Sequence, residues 1–175
     1  MSKAVLISIN PKWVKEILNG KKTLEVRKTI PKLDIPFKCY IYCTKSKPEI
    51  APFNIDNKWI VEEFSDETTF ANGCTMNMRD TLNGKVVAEF ICDYEWNIDM
   101  EMIMNPEVNT PKEVESLTTL TDMTIEELNN YLGKKVGYAW NIRDLQIYDN
   151  PKELSEFGIK KAPQSWCYVE DLSND

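Results

Sequence analysis

The 175 residues contain no histidine. That excludes a Ser-His-Asp or Cys-His relay and removes the commonest zinc ligand. Acid–base chemistry on this chain falls to Lys, Glu, Asp, Tyr or Cys. No apolar run approaches the ~20 residues that a membrane helix needs. The opening residues, MSKAVLISIN, lack a signal-peptide pattern, and their short apolar run reads as a strand. A soluble cytoplasmic protein with no membrane partner is expected. There is no Gly-rich phosphate loop, internal repeat or low-complexity tract. Cysteine is limited to five, Cys39, Cys43, Cys74, Cys92 and Cys167. An odd number without an export signal predicts reduced thiols. Cys39 and Cys43 are spaced like a metal pair, but four residues along a strand span roughly 13 Å. They are expected as small apolar fillers, and neither a metal nor a cofactor is implied.

What the chain does contain is ordinary globular material: 42% hydrophobic, 28% charged and 10% aromatic residues. One domain over residues 1–175 is the default for this length. The net charge of −7 is unevenly spread. Residues 1–47 carry eleven basic against three acidic side chains, while residues 48–175 carry ten against twenty-five. A basic first quarter suits phosphates, and the acidic remainder repels a long duplex. A short, local nucleic-acid contact fits this balance better than a wrapped one. Solvated lysines on one side of a soluble domain fit it equally.

The informative stretch runs from Asn10 to Lys28. Asn10-Pro11 is a helix start, since Asn caps well and Pro suits the first position. Trp13, Val14, Ile17 and Leu18 then recur at helical spacing, and Gly20 fits a C-terminal cap. Beyond it, Leu24 and Val26 alternate with Thr23, Glu25 and Arg27, a strand period. On the residues alone, this polar face reads as a solvated ion pair worth under ~1 kcal/mol.

The rest of the chain predicts further strands at 4–9, 37–43, 85–94, 138–148 and 166–169. Residues 58–64 read as a helical turn or an edge strand, and Asn83-Gly84 as a hairpin turn between flanking runs. Residues 95–119 read as irregular, with a turn of helix after Pro111. Thr124 and Glu127 form a capping box for a helix ending at Gly133. Asn150-Pro151-Lys152-Glu153 predicts a short helix closed by Gly158. The 138–148 strand changes phase between Ile142 and Leu145, which a bulge near Arg143-Asp144 reconciles. About six strands and a few short helices predict an α+β fold, a small mixed β-barrel.

Gly20, Lys22, Glu25 and Arg27 spell G-x-K-x-x-E-x-R after an amphipathic helix and a first strand. This resembles the signature of the ASCH family, a branch of the PUA-like superfamily. The closing order of strand, Asn-Pro start and Pro163-Gln164-Ser165-Trp166 is also similar. The resemblance covers most of the chain except insertions near 44–83 and 95–119. It implies a PUA-like barrel with a cleft whose wall carries the motif, suited to RNA or a nucleotide. Lys22, Glu25 and Arg27 are then the ligand-binding candidates, with Gln164, Ser165 and Trp166 in a loop beside them. Arg27 offers a planar fork for phosphate or a base edge, and Lys22 a point charge. Glu25 can accept from an exocyclic amine or hold Arg27 in place. Trp166 and Trp140 are the candidates to stack on a base, with Trp140 read in preference as a core anchor.

A second reading is hydrolysis of a modified nucleoside or of RNA. One ASCH branch removes the acetyl group from N4-acetylcytidine, and its lysine matches Lys22. Its catalytic threonine falls at Glu25 and its carboxylate at Thr121, so two of the three positions differ. Lys22 and Glu25 are the catalytic candidates under this reading, with Lys22 as a base of lowered pKa. A protein-interaction role is the third alternative.

Overall fold

The computed structural model describes residues 2–55, 57–64, 77–78, 80–105, 107–108, 111–133 and 136–172. Cys74 lies outside the described residues, as do parts of both expected insertions. The fold is mixed α+β, with eleven strands and four α-helices among the described residues. That is more strands than the sequence led us to expect.

The strands form three sheets. The largest is built from β1 (Lys3–Ile9), β3 (Phe37–Cys43), β7 (Val86–Cys92), β10 (Arg143–Lys152) and β11 (Trp166–Glu170), in the order β10-β7-β3-β1-β11. Only the β1–β3 pair is parallel; the others are antiparallel. A second sheet orders β2 (Leu24–Arg27), β9 (Val136–Asn141) and β8 (Glu95–Asp99) as β2-β9-β8. The third, β5-β4-β6, joins β5 (Lys58–Glu63) and β4 (Ile50–Ile55) as an antiparallel hairpin to the short β6 (Asn77–Met78).

Alternation along β3 sets two cores. Phe37, Cys39, Ile41 and Cys43 pack inward with Val5, Ile7, Ile9, Phe90 and Trp140. Tyr40 and Tyr42 turn to the opposite face with Ala4, Leu6, Val86, Phe157 and Val169. Both faces of β1, β3 and β7 are thus covered, which is why these strands are almost continuously apolar, while β10 at the sheet edge is largely exposed. Glu89, on interior strand β7, has partners: Lys38 Nζ at 2.9 Å and the Tyr148 hydroxyl at 2.6 Å.

Helix α1 (Pro11–Leu18) starts as its sequence dictates. The Asn10 side chain accepts from the Lys12 N–H, and Gly20 beyond the helix adopts φ +75°. Asn19 ties the helix end to β5: its amide donates to Val61 O at 2.8 Å and its oxygen accepts from Val61 N at 2.9 Å. Helix α4 (Ile125–Leu132) carries the expected Thr124–Glu127 capping box.

Several expectations are corrected. Of the two readings for residues 58–64, the edge strand holds: β5 (Lys58–Glu63) lies at the edge of its sheet and pairs with β4. The turn at Asn83-Gly84 joins β6 to β7, which lie in different sheets, so the runs around it do not pair. The stretch 95–119 is more regular than its composition suggests, with β8, α2 (Met100–Ile103) and α3 (Pro111–Thr121). The 138–148 strand is two strands in two sheets, β9 and β10, and the irregularity expected near Arg143-Asp144 is there: the β10–β7 register shifts between Arg143 and Gln146, with Asp144 at φ +52°. Asn150-Pro151 does not start a helix: β10 continues to Lys152, and a 3-10 turn (Leu154–Phe157) begins instead at Glu153. There the Glu156 carboxylate accepts from the Glu153 N–H at 2.7 Å, and Gly158 closes the turn as expected.

Among the described residues, no helix is long and apolar enough to cross a membrane.

Candidate functional site

Strand β2 places the site. It is only four residues long and all four are buried. Leu24 and Val26 face a separate core made with Ile98, Leu117, Met123, Leu128 and Leu132, under α3 and α4. Glu25 and Arg27, at the alternate positions, therefore turn toward β1 and α1. Lys22 precedes the strand, where its backbone N–H bonds Glu16 O at the end of α1. The polar face is not solvated: Lys22 is 2% exposed, Glu25 5% and Arg27 8%. This overturns the reading of a surface ion pair.

The three side chains form one network. Glu25 lies between the two cations and offers a different oxygen to each. Arg27 Nη2 is 2.9 Å from Glu25 Oε1, and Lys22 Nζ is 3.7 Å from Glu25 Oε2. Arg27 Nη2 also donates to Ser8 O at 2.7 Å, and Lys22 Nζ donates to Thr121 O at 2.6 Å. Lys22 Nζ further sits 5.2 Å from the Trp13 ring centre, a cation–π contact. Burial pushes the Lys22 ammonium below its usual pKa, and the Glu25 charge opposes that shift. Arg27 cannot give up its proton. The cluster holds two cationic side chains against one carboxylate, and Arg27 Nε is buried with no hydrogen-bond partner.

These residues open on a hollow of about 170 Å³. Its polar wall is Lys22, Glu25, Arg27, Ser8 and Asn10; its apolar and aromatic wall is Ile9, Trp13, Val26, Met123 and Tyr131. The end of β1, the start of α1, β2 and the α3–α4 connection therefore meet there. An engineered apolar cavity of ~150 Å³ admits a benzene ring, so this hollow accepts one six-membered ring.

The loop residues Gln164, Ser165 and Trp166 are not brought to this hollow. Gln164 is exposed, and Ser165 and Trp166 are half-buried. The loop backbone is used against β1: Ser8 N donates to Ser165 O at 2.9 Å, and Ser8 Oγ to Pro163 O at 2.7 Å. Trp166 packs on Trp140 and Tyr168, and its indole N–H donates to Thr29 Oγ1 at 3.1 Å. Trp140 is fully buried in the core, as its sequence context suggested. Conversely, sequence reasoning missed Ser8, Trp13, Met123 and Tyr131. Trp13 shares a helical stripe with Val14 and Ile17, and only its half-burial at the stripe's edge separates it from them. Thr121 participates through its carbonyl; its hydroxyl donates to Leu117 O at 2.7 Å.

Other chemistries find little support. Among the described residues no cluster of Cys, Asp and Glu could hold a metal ion. Burial raises all four described thiols, Cys43 and Cys92 to about 12, so none is a ready nucleophile.

No family model and no curated protein matches the chain. Solved structures do. The structure of ASCH from Zymomonas mobilis superposes with TM-score 0.59 at 17% identity, covering 95% of this chain and 87% of that one. Two variants of the Zymomonas mobilis protein match similarly: a Ser-to-Ala variant at TM-score 0.59 and 16% identity, and a Tyr-to-Phe variant at 0.60 and 17%. They cover 95% and 97% of this chain, and 88% and 91% of theirs. The chain has an ASCH-like fold.

Proposed function

We propose that this chain is an RNA- or nucleotide-binding module whose ligand enters the hollow between β1, α1, β2 and α4. The observation that carries the reading is the buried cluster itself. Two cations and one carboxylate are held under water-poor conditions at the wall of an opening, and one guanidinium N–H has no partner. Burying charge is costly, and evolution retains it where it does something that an apolar core does not. The hollow pairs polar donors with aromatic and apolar walls, the combination that takes a nucleobase. The ASCH-like fold and the G-x-K-x-x-E-x-R spacing support the same reading. In it, residues 1–175 act as one domain, with the β4–β5 hairpin and the α2–α3 stretch as additions to it. The large sheet and the β2-β9-β8 sheet wrap a shared core in the manner of a PUA-like barrel, as the packing of Trp140 against β1 and β3 residues supports.

The test is fluorescence anisotropy with a short single-stranded RNA. Arg27→Lys keeps the charge but removes the planar fork, so binding weakens while the variant stays folded. Unchanged affinity in a folded Arg27→Lys protein refutes the site.

A second reading, hydrolysis of a modified nucleoside such as N4-acetylcytidine or of RNA, draws on one observation. Lys22 has a depressed pKa and lies beside Glu25, an acid–base pair by residue type. It predicts release of cytidine from N4-acetylcytidine, abolished by Lys22→Met. No conversion at high protein concentration ends it.

A further inference from the structure

One end of the large sheet is poor in acid and carries free lysines. Strands β1 and β3 are parallel, so both finish at this end, and β11, antiparallel to β1, starts there. Residues 35–48, which run through β3, and residues 157–169, which lead into β11, contain no acidic side chain, in a chain of net charge −7. The lysines around this end fall into two groups. Lys12, Lys15, Lys47 and Lys85 are each neutralised, by Glu127, Glu63, Glu49 and Glu153. Lys45, Lys160 and Lys161 are exposed and have no acidic partner among the described residues. These three line one open groove with Gly84 and Ser155, and the carboxylate that lines it, Glu153, is the one taken by Lys85. The Lys45 stem lies across Gly84, where a Cβ would stand 2.9 Å from its Cε. The groove begins beside the hollow. Asn10 Nδ2 donates to Ser46 Oγ at 3.2 Å, next to Lys45, and Ser8 Oγ donates to Pro163 O at 2.7 Å, just beyond Lys161. Ser8 and Asn10 both line the hollow, so one ridge, the end of β1, separates hollow from groove.

We infer that this groove carries the phosphodiester backbone of the RNA whose base enters the hollow, with Lys45, Lys160 and Lys161 each set against a phosphate. This rests on the binding reading above and extends it beyond the hollow. An exposed ammonium on a flexible stem meets a phosphate as a point charge and needs no fixed alignment. Being unpaired, these three lysines give up no ion pair within the protein when a strand arrives, whereas Lys12, Lys47 and Lys85 do. Such contacts set the position of the strand and read no base. The two places are close along the chain. Lys45 adjoins Ser46, and two residues, at ~3.8 Å each, separate Lys161 from the Pro163 contact with Ser8. The acidic remainder of the chain repels a polyanion, so the field steers a strand to this end.

The experiment combines Lys45→Gln, Lys160→Gln and Lys161→Gln in one protein. All three side chains are exposed and unpaired, so the variant keeps the wild-type fold. A single-stranded RNA dodecamer of mixed sequence is titrated at salt concentrations from about 50 to about 200 mM, with fluorescence anisotropy as readout. Each phosphate contact on a single strand contributes about −0.7 to the slope of log K against log salt, so the slope of the variant is shallower by about 2. Over that range wild type loses about 15–20-fold more affinity than the variant does. A control protein carries Lys3→Gln, Lys58→Gln and Lys112→Gln, exposed lysines at the far end of β1, on β5 and on α3, and keeps the wild-type slope. An unchanged slope in the first variant, or an equal flattening in the control, overturns the groove. Arg27→Lys, titrated with the same RNA, still weakens binding in that case if the hollow is the site. No binding of the dodecamer by wild type overturns the binding reading itself, and the groove with it.

Discussion

Replacing Glu25 by Gln keeps the shape of the side chain and removes its charge. Lys22 and Arg27 are then two cations, 2% and 8% exposed, with no carboxylate between them. Removing one member of a buried ion cluster costs about 3–5 kcal/mol, most of it from the charges left uncompensated. For a chain of this size each kcal/mol moves Tm by about 2–4 °C, so Glu25→Gln lowers Tm by about 6–20 °C at pH 7. Arg27 has no way out, but Lys22 does. Its pKa is already depressed by burial, and losing Glu25 removes the charge that opposed the shift. As pH rises toward the unfolded value of 10.5, the variant releases the Lys22 proton more readily than wild type, so the loss of Tm is smaller at pH 10 than at pH 7. Glu49→Gln is the control: Glu49 pairs with Lys47 on the surface, at side-chain exposures of 41% and 82%, and its loss shifts Tm by under about 2 °C. Differential scanning calorimetry of the three proteins at both pH values reads the comparison. A Glu25→Gln Tm within about 2 °C of wild type at pH 7, or an equal loss at both pH values, refutes the coupled buried cluster.

Lys22→Met removes the buried ammonium while leaving Glu25 paired with Arg27. Because the folded-state pKa of Lys22 is lowered, its burial cost is present in full below that pKa and is relieved as pH rises toward the unfolded value of 10.5. Wild type therefore gains stability over that window relative to Lys22→Met, and parallel curves of chemical-denaturation stability against pH contradict it. Gly20→Ala meets no atoms but must hold φ +75°, so it lowers stability by about 1–2 kcal/mol in urea unfolding; no change shows the turn can rearrange. Trp140→Ala empties a fully buried site between Phe37 and Trp166 and costs about 3–5 kcal/mol, against a negligible change if that core collapses onto the gap.

Much of the site-bearing half was legible because its local signals agree with its tertiary environment. Asn10-Pro11, the stripe of Val14, Ile17 and Leu18, and Gly20 each specify the same helix. The alternation through β3 predicted its two cores because both faces are buried. The G-x-K-x-x-E-x-R spacing placed Lys22, Glu25 and Arg27 together before any coordinates. What the spacing left open was whether that face meets water, because burial of β2 is imposed by α1, β1 and the α3–α4 connection, from distant parts of the chain. The failures have similar causes. Strand β4 carries Pro52, which argues against an interior strand, yet β4 lies between β5 and β6. Strand β8 buries only Ile98, too little alternation to register. Trp166 was an attractive stacking residue by type, but its indole is committed to Thr29 and Trp140.

The most direct test of the central claim watches Arg27 itself. The arginine Nε–H resonances of a 15N-labelled protein are followed by NMR while a short single-stranded RNA is added, and Arg27→Lys identifies the Arg27 signal by its disappearance. The account predicts that this signal moves on binding, since Nε is the buried donor without a partner in the free protein. An RNA that binds and shifts surface amides while leaving the Arg27 signal unmoved contradicts it.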